Sequence, residues 1–304
     1  MALAPMADVT DAAFRRIIAK YGKPDVMWTE FVSADGLCSR GKEKLLPDLW
    51  FSESERPILA QLFTSNPENM KSAAKLAAKL GFDGIDINLG CPDRSIEKQG
   101  AGAAMIKNPK LARKVILAAM KGAPKLPVSV KTRIGYEKES LDEWLPSLLK
   151  TKPAAITVHF RTRKEMSAVP ARWDLAEKVL RLRDKYSPDT LIIGNGDVRD
   201  LANAKEKARV YGVDGVMMGR GIFGNPFLFS KRVPAGKNLR VMLEHAKLFE
   251  KLFTGIKPFD VMKKHFKAYV SGFDGAKELR AKLMLAKNAA DVEKILKTMN
   301  YEVK

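Results

Sequence analysis

Apolar and polar positions alternate in blocks along roughly the first 225 residues. Short, nearly continuous apolar runs are separated by longer stretches in which apolar residues recur at helical spacing. The runs predict strands over residues 2–6, 25–29, 58–63 and 84–88, then 128–132, 155–159, 191–195 and 215–218. Runs this apolar suit strands buried on both faces of a parallel sheet. Helices are predicted between them, among others over residues 66–80, 109–121 and 173–186. Asn66, Pro67 and Glu68 read as an N-cap, a first-turn proline and an acid matched to the helix dipole. Eight strand–helix units is the count of a (β/α)8 barrel, with a doubly wound α/β sheet as the competing architecture.

After about residue 230 the pattern changes. Strand-like runs vanish, and residues 239–255, 258–271 and 275–299 read as two to four amphipathic helices. The chain is therefore expected to divide into a barrel over residues 1–230 and a small all-helical domain over 231–304. Charge adds to this picture. Fifty-four Lys and Arg against thirty-five Asp and Glu give +19, and residues 230–304 hold seventeen of the basic and eight of the acidic side chains. About a quarter of the chain thus carries nearly half the excess charge, which favours a polyanionic partner. No apolar run reaches the length of a membrane span, and no basic stretch followed by an apolar run opens the chain. Two cysteines in 304 residues exclude a disulfide framework and fit a reducing cytoplasm. Three histidines without ligand spacing argue against a metal site. A monomer is the default expectation.

In a parallel barrel the strand ends and the loops after them form the active face. The unusual residues gather there: Pro5 and Met6, Gln61, Asn88 with Gly90 and Cys91, Lys131, His159, Asn195-Gly196-Asp197, and Gly219-Arg220-Gly221. The last two clusters let backbone N–H groups approach a phosphate, and Arg220 adds a charge-assisted bond. A phosphate-bearing ligand is expected. Cys91 lies between Gly90 and Pro92, in a loop that runs on to Gly100-Ala101-Gly102. A thiol with an ordinary pKa of about 8.5 is protonated at neutral pH and can serve as a general acid. Cys38, in a stretch expected as loop or helix after the second strand, reads as structural. Lys131, His159 and Gln61 form a donor set suited to a heteroaromatic ring bearing several carbonyls.

At these residues the chain resembles the tRNA-dihydrouridine synthases, FMN-dependent TIM-barrel enzymes with a C-terminal helical domain. The resemblance rests on Ala4-Pro5-Met6-Ala7-Asp8-Val9-Thr10-Asp11, Asp86 to Pro92, Gly100-Ala101-Gly102-Ala103 and Val130-Lys131-Thr132-Arg133-Ile134-Gly135. It continues through His159-Phe160-Arg161-Thr162-Arg163, Gly194 to Val198, and Met218 to Pro226, in the family's order. The cysteine loop is the most specific of these motifs. Residues 166–173 follow the family only loosely, and the C-terminal segment matches in length, helical character and charge.

The resemblance implies roles residue by residue. Pro5, Met6 and Ala7 would pack against the flavin ring, and Gln61, Lys131 and His159 would bond its polar edge and tail. Asn195, Gly196, Asp197, Gly219 and Arg220 would hold the FMN phosphate. Asn88 would bond the substrate uracil, and Cys91 would protonate C5 as hydride passes from the flavin to C6. NADPH would reduce the flavin, and Arg161, Arg163 and Lys164 would meet phosphates of the tRNA. Two other readings stay open at this point: an FMN barrel acting on a free pyrimidine, and a barrel that binds RNA without catalysis. The basic tail weighs against the first, and the presence of Cys91, Lys131 and the phosphate cluster against the second.

Overall fold

A computed structural model describes residues 1–230 and 238–301. Its sheet contains nine parallel strands: β1 (Ala2–Leu3), β2 (Met27–Trp28), β3 (Val32–Ser33), β4 (Ile58–Phe63), β5 (Gly84–Leu89), β6 (Val128–Arg133), β7 (Ala155–His159), β8 (Leu191–Asn195) and β9 (Gly215–Met218). Eight of them follow the order β1-β9-β8-β7-β6-β5-β4-β2, while β3 is an added pairing at the end of β4. A parallel bridge between Ala2 and Val26 joins the first strand to the segment entering β2 and brings the ring nearly to closure. This is the TIM-barrel architecture expected from the pattern of apolar runs.

The six-residue strands β4 and β5 are buried almost throughout, which explains their largely apolar composition. The helices wrap outside them. Pro67–Lys79 is capped as its sequence foretells, with the Asn66 side chain accepting from the Glu68 and Asn69 backbone N–H groups. The stretch expected as one helix over residues 173–186 opens instead with a 3-10 turn, Trp173–Leu175, before Ala176–Tyr186. β1 and β2 span two residues each rather than five. Pro5 cannot donate to the ladder, so pairing ends before it.

Four α-helices follow: Leu239–Phe253, Met262–Tyr269, Ala276–Leu283 and Ala289–Thr298. The periodic stretch over 275–299 is broken where Asn288 caps a new helix by accepting from the Asp291 N–H. These helices share a second apolar core, separate from the barrel core and closed by Ala12, Ala13 and Ile17 of the barrel helix Ala12–Tyr21. The expected boundary at 230–231 adjoins residues 231–237, outside the described residues. Among the described residues, no helix is long and apolar enough to cross a membrane. No group of three or more His, Cys, Asp or Glu among them could hold a metal ion.

Candidate active site

The carboxyl ends of the strands open on a cavity of about 810 Å3, inside the range of small-molecule sites. Ala4, Pro5 and Met6 beyond β1 and Met217 on β9 supply an apolar part of its lining. Lys131, Arg133, His159, Arg161, Arg199 and Arg220 supply a basic part, with Asp197 as the acid among them. The turns after β8 and β9, containing Asn195-Gly196-Asp197 and Gly219-Arg220-Gly221, complete it.

Asp197 organises the cations. One of its carboxylate oxygens accepts from Arg161 and from the Ala171 N–H at 2.8 Å, and the other accepts from Arg220 at 3.3 Å. Burial works to raise the Asp197 pKa, but the Arg161 bond, the Ala171 N–H and the charges of Arg161 and Arg220 together hold it below the usual range. Gly196, beside it, has φ +124°, and a Cβ there would stand 2.7 Å from the Ala171 Cβ and 3.2 Å from the His159 ring. Only glycine fits, which is why the turn can run so close to the histidine.

His159 is held neutral. Burial pushes its pKa well below the ordinary value, and Lys131, Arg133, Arg161 and Arg220 push it further. Its Nε2 lies 3.3 Å from the Arg161 guanidinium, so Nε2 accepts and the ring proton sits on Nδ1. Burial lowers Lys131 to about 8. Its ammonium donates to Asn195 Oδ1 at 3.4 Å, while Asn195 Nδ2 donates to the Met217 carbonyl at 2.8 Å. Four positive groups acting on one imidazole describe a site built for an anion.

The cysteine loop is fixed from below. Asn88 Oδ1 accepts from the Gly90 N–H at 3.1 Å and the Cys91 N–H at 2.9 Å. The Cys91 carbonyl accepts from the Ala103 N–H at 2.9 Å, and a Cβ on Gly102, whose φ is +60°, would come within 2.7 Å of that carbonyl. Arg133 donates through Nε to the Gly90 carbonyl at 2.8 Å and through Nη1 to the Thr162 carbonyl at 3.0 Å, clasping two loops together. Burial pushes the Cys91 thiol up, against the Asp93 backbone N–H and the charges of Lys131 and Arg133, which work to lower it. The thiol is therefore protonated throughout the neutral range.

Ten of the residues given a role by the resemblance line the cavity: Pro5, Met6, Lys131, His159, Arg161, Asn195, Gly196, Asp197, Gly219 and Arg220. The others lie elsewhere. Ala7 is on an exposed turn, and Cys91 is beside the cavity rather than in its lining. Gln61 is 0% exposed and outside the cavity lining, and its amide bonds Asp86 at 2.6 Å and Asn88 at 3.0 Å. The expectation that Arg161 and Arg163 reach RNA phosphates meets a physical obstacle. Arg161 is 3% exposed and lines the cavity, away from the outer surface; Arg163 is ion-paired with Glu97. Lys164 alone of that run is exposed. Cys38 is exposed rather than buried, and its neighbours include Asp35 and Ser72. Arg133 went without a role in the sequence, although its spacing of two from Lys131 on one strand places both on one face.

A family model described as dihydrouridine synthase matches residues 2–303. A "Probable tRNA-dihydrouridine synthase" of Staphylococcus aureus (strain COL) is 42% identical over 300 residues, covering 97% of this chain and 91% of its own. A "Probable tRNA-dihydrouridine synthase 2" of Bacillus subtilis (strain 168) is 41% identical over 301 residues, covering 97% and 92%. Among solved structures, the old yellow enzyme homologue from Zymomonas mobilis superposes with a TM-score of 0.52 at 14% identity, covering 79% of this chain and 91% of that one. Histamine dehydrogenase from Rhizobium sp. 4-9 does so with a TM-score of 0.54 at 14% identity, covering 82% and 48%. These two likenesses are of fold. The full-length family match and the relatives above 40% identity go further: this chain belongs to the dihydrouridine synthase family.

Proposed function

We propose that the chain reduces the C5=C6 bond of a specific uridine in tRNA to 5,6-dihydrouridine, with FMN bound in the cavity and NADPH as the source of electrons. The relatives' names supply the tRNA substrate. The observation that carries the chemistry is the pairing of two features on one barrel face: an Asp197-organised cationic cradle and a thiol kept protonated beside Lys131. The cradle suits a phosphate monoester, with Arg161 and Arg220 as its charged donors and the Gly196 and Gly219 turns allowing close approach. Pro5, Met6 and Met217 offer an apolar wall to a flat ring, and Lys131, as a cation, can bond its polar edge. Held by these residues, FMN would supply the hydride for C6 of the uracil. Cys91 gives its S–H proton to C5 and is left as a thiolate, which takes a proton back from solvent. Because burial raises its pKa, the thiol is in the donating form without a neighbouring acid.

The exposed cations of the C-terminal helices suit the rest of the RNA, and the target base has to leave its stack to reach a barrel mouth. Residues 231–304 are thus proposed as the tRNA-binding unit. The deciding experiment is Cys91→Ala. It should abolish dihydrouridine formation in unmodified tRNA while the bound flavin is still reduced by NADPH; a fully active variant would remove Cys91 as the acid. Equal turnover of free uridine and tRNA would overturn the substrate.

A further inference from the structure

Beneath the cysteine loop lies a fully buried chain of polar side chains. Gln61 on β4, Asp86 on β5 and Ser129 on β6 stand in register on three adjacent strands. Asn88, two residues beyond Asp86, projects from the same face of β5. Ser129 Oγ donates to Asp86 Oδ1, and Gln61 Nε2 donates to Asp86 Oδ2 at 2.6 Å. Asn88 Nδ2 donates to Gln61 Oε1 at 3.0 Å, and Asn88 Oδ1 accepts from the Gly90 and Cys91 N–H groups.

The direction of this chain is decided at its ends. Each amide has a donor side and an acceptor side, so Gln61 and Asn88 could each be turned over. Backbone N–H groups can only donate, so Asn88 must show them its oxygen. It then shows its NH2 to Gln61, Gln61 shows its oxygen in return, and its own NH2 faces Asp86. The last group has to accept. A carboxylate does so without ambiguity; a donor there would reverse Gln61, then Asn88, and set an NH2 against the two loop amides. A buried donor facing a donor is costly.

We infer that Asp86 is a positioning residue: acting through Gln61 and Asn88, it sets the hydrogen-bond direction that holds the Gly90–Cys91 backbone in place. The inference rests on the proposed role of Cys91 only for its effect on catalysis; the effect on the loop amides is independent of that role. Burial pushes the Asp86 carboxyl up, and the hydrogen bonds from Ser129 and Gln61 and the charge of Lys131 oppose it in favour of the carboxylate.

The test exploits polarity. Asp86→Asn is nearly isosteric but places an NH2 where an acceptor is needed, with its oxygen retained by Ser129. The double variant D86N/Q61E restores the direction: the amide introduced on β5 donates to the carboxylate introduced on β4, which accepts again from Asn88. Hydrogen exchange of the peptide spanning Gly90 and Cys91 is measured by mass spectrometry on full-length protein, beside single-turnover dihydrouridine formation in tRNA. D86N should exchange that peptide at least about tenfold faster and slow turnover by a similar factor, as expected for a lost buried hydrogen bond. D86N/Q61E should recover most of both. Recovery is judged against D86N, so it decides the matter even if D86N is unstable throughout. Unchanged exchange in D86N, or a double variant no better than D86N, would overturn the inference. Exchange that follows the predicted pattern while turnover stays constant would uphold the positioning role and sink the assignment of Cys91.

Discussion

The Lys257 ammonium lies 3.0 Å from the Glu30 carboxylate, joining the turn after helix Leu239–Phe253 to the segment between β2 and β3. Glu30 also accepts from the Asp8 N–H, two residues beyond Met6 of the cavity wall, and Lys257 holds Asp48 at 2.6 Å. The C-terminal helices therefore grip the turn that carries Pro5 and Met6. Burial pushes Glu30 up to about 7 even with this cation beside it. Lys257→Met leaves that carboxyl to take up a proton and leaves Asp48 without its cation, and should destabilise the fold by about 1–3 kcal/mol, the scale of a buried polar group left without its partner. Adding Glu30→Gln should return much of that loss. Denaturant unfolding of the two variants checks it; equal loss in both would mean that the pair contributes through packing alone.

Two histidines sit in the joint between the barrel and the C-terminal helices. The His245 and His265 rings are 4.6 Å apart and both touch Phe14, with Tyr269 beyond. Burial depresses both, helped by His265 for the first and Lys264 for the second, and brings His265 to about 3. A folded-state pKa below the unfolded value near 6.5 contributes stability that is present above 6.5 and lost as pH falls toward 3. Each histidine then adds up to about 1.4 kcal/mol of loss per pH unit in that window. Unfolding free energies at pH 7.5, 6 and 5 should fall less steeply in H245L/H265L than in the wild type. Parallel slopes would show that the pair is not the acid-sensitive element.

The phosphate assignment separates two arginines that look alike in sequence. Arg161→Met removes a buried cation from the cradle and should weaken FMN binding by at least about tenfold, the scale of a hydrogen bond to a charged group. Arg163→Met breaks the pair with Glu97 and the contact with the Tyr136 ring, both outside the cavity lining, and should leave FMN affinity unchanged. Quenching of flavin fluorescence on titration into stripped protein measures both. An unaffected R161M would move the phosphate elsewhere.

That contrast also shows what could be read from the chain alone. Strands β4 and β7 to β9 are legible to the residue because burial leaves apolar runs with few polar interruptions. The turns after β8 and β9 are legible because phosphate-type cradles need glycine beside a charge. The commitments of the charged and amide side chains are not, since each depends on a partner remote in sequence. Arg161 meets Asp197, Arg163 meets Glu97, and Gln61 meets Asp86, separations of 36, 66 and 25 residues. Sequence shows a side chain's chemistry; only register between strands shows which chemistry is already spent.

The same reasoning locates the charges still available to RNA. Among the described residues of the C-terminal helices and the turns beside them, Arg240, Lys251, Lys267, Lys277, Lys287 and Lys294 are exposed and make no ion pair, whereas Lys247, Lys282 and Lys297 are held by Glu293 or Glu278. A cation already paired must give up its carboxylate before it can neutralise a phosphate, so the free set should dominate the salt dependence of tRNA binding. Replacing Lys267, Lys277, Lys287 and Lys294 by Gln should weaken binding and lower the slope of log K against log salt by somewhat under one for each phosphate left without its cation. Replacing Lys247, Lys282 and Lys297 instead should change the slope little. If the triple variant loses as much slope as the quadruple one, the RNA path crosses the paired face of these helices.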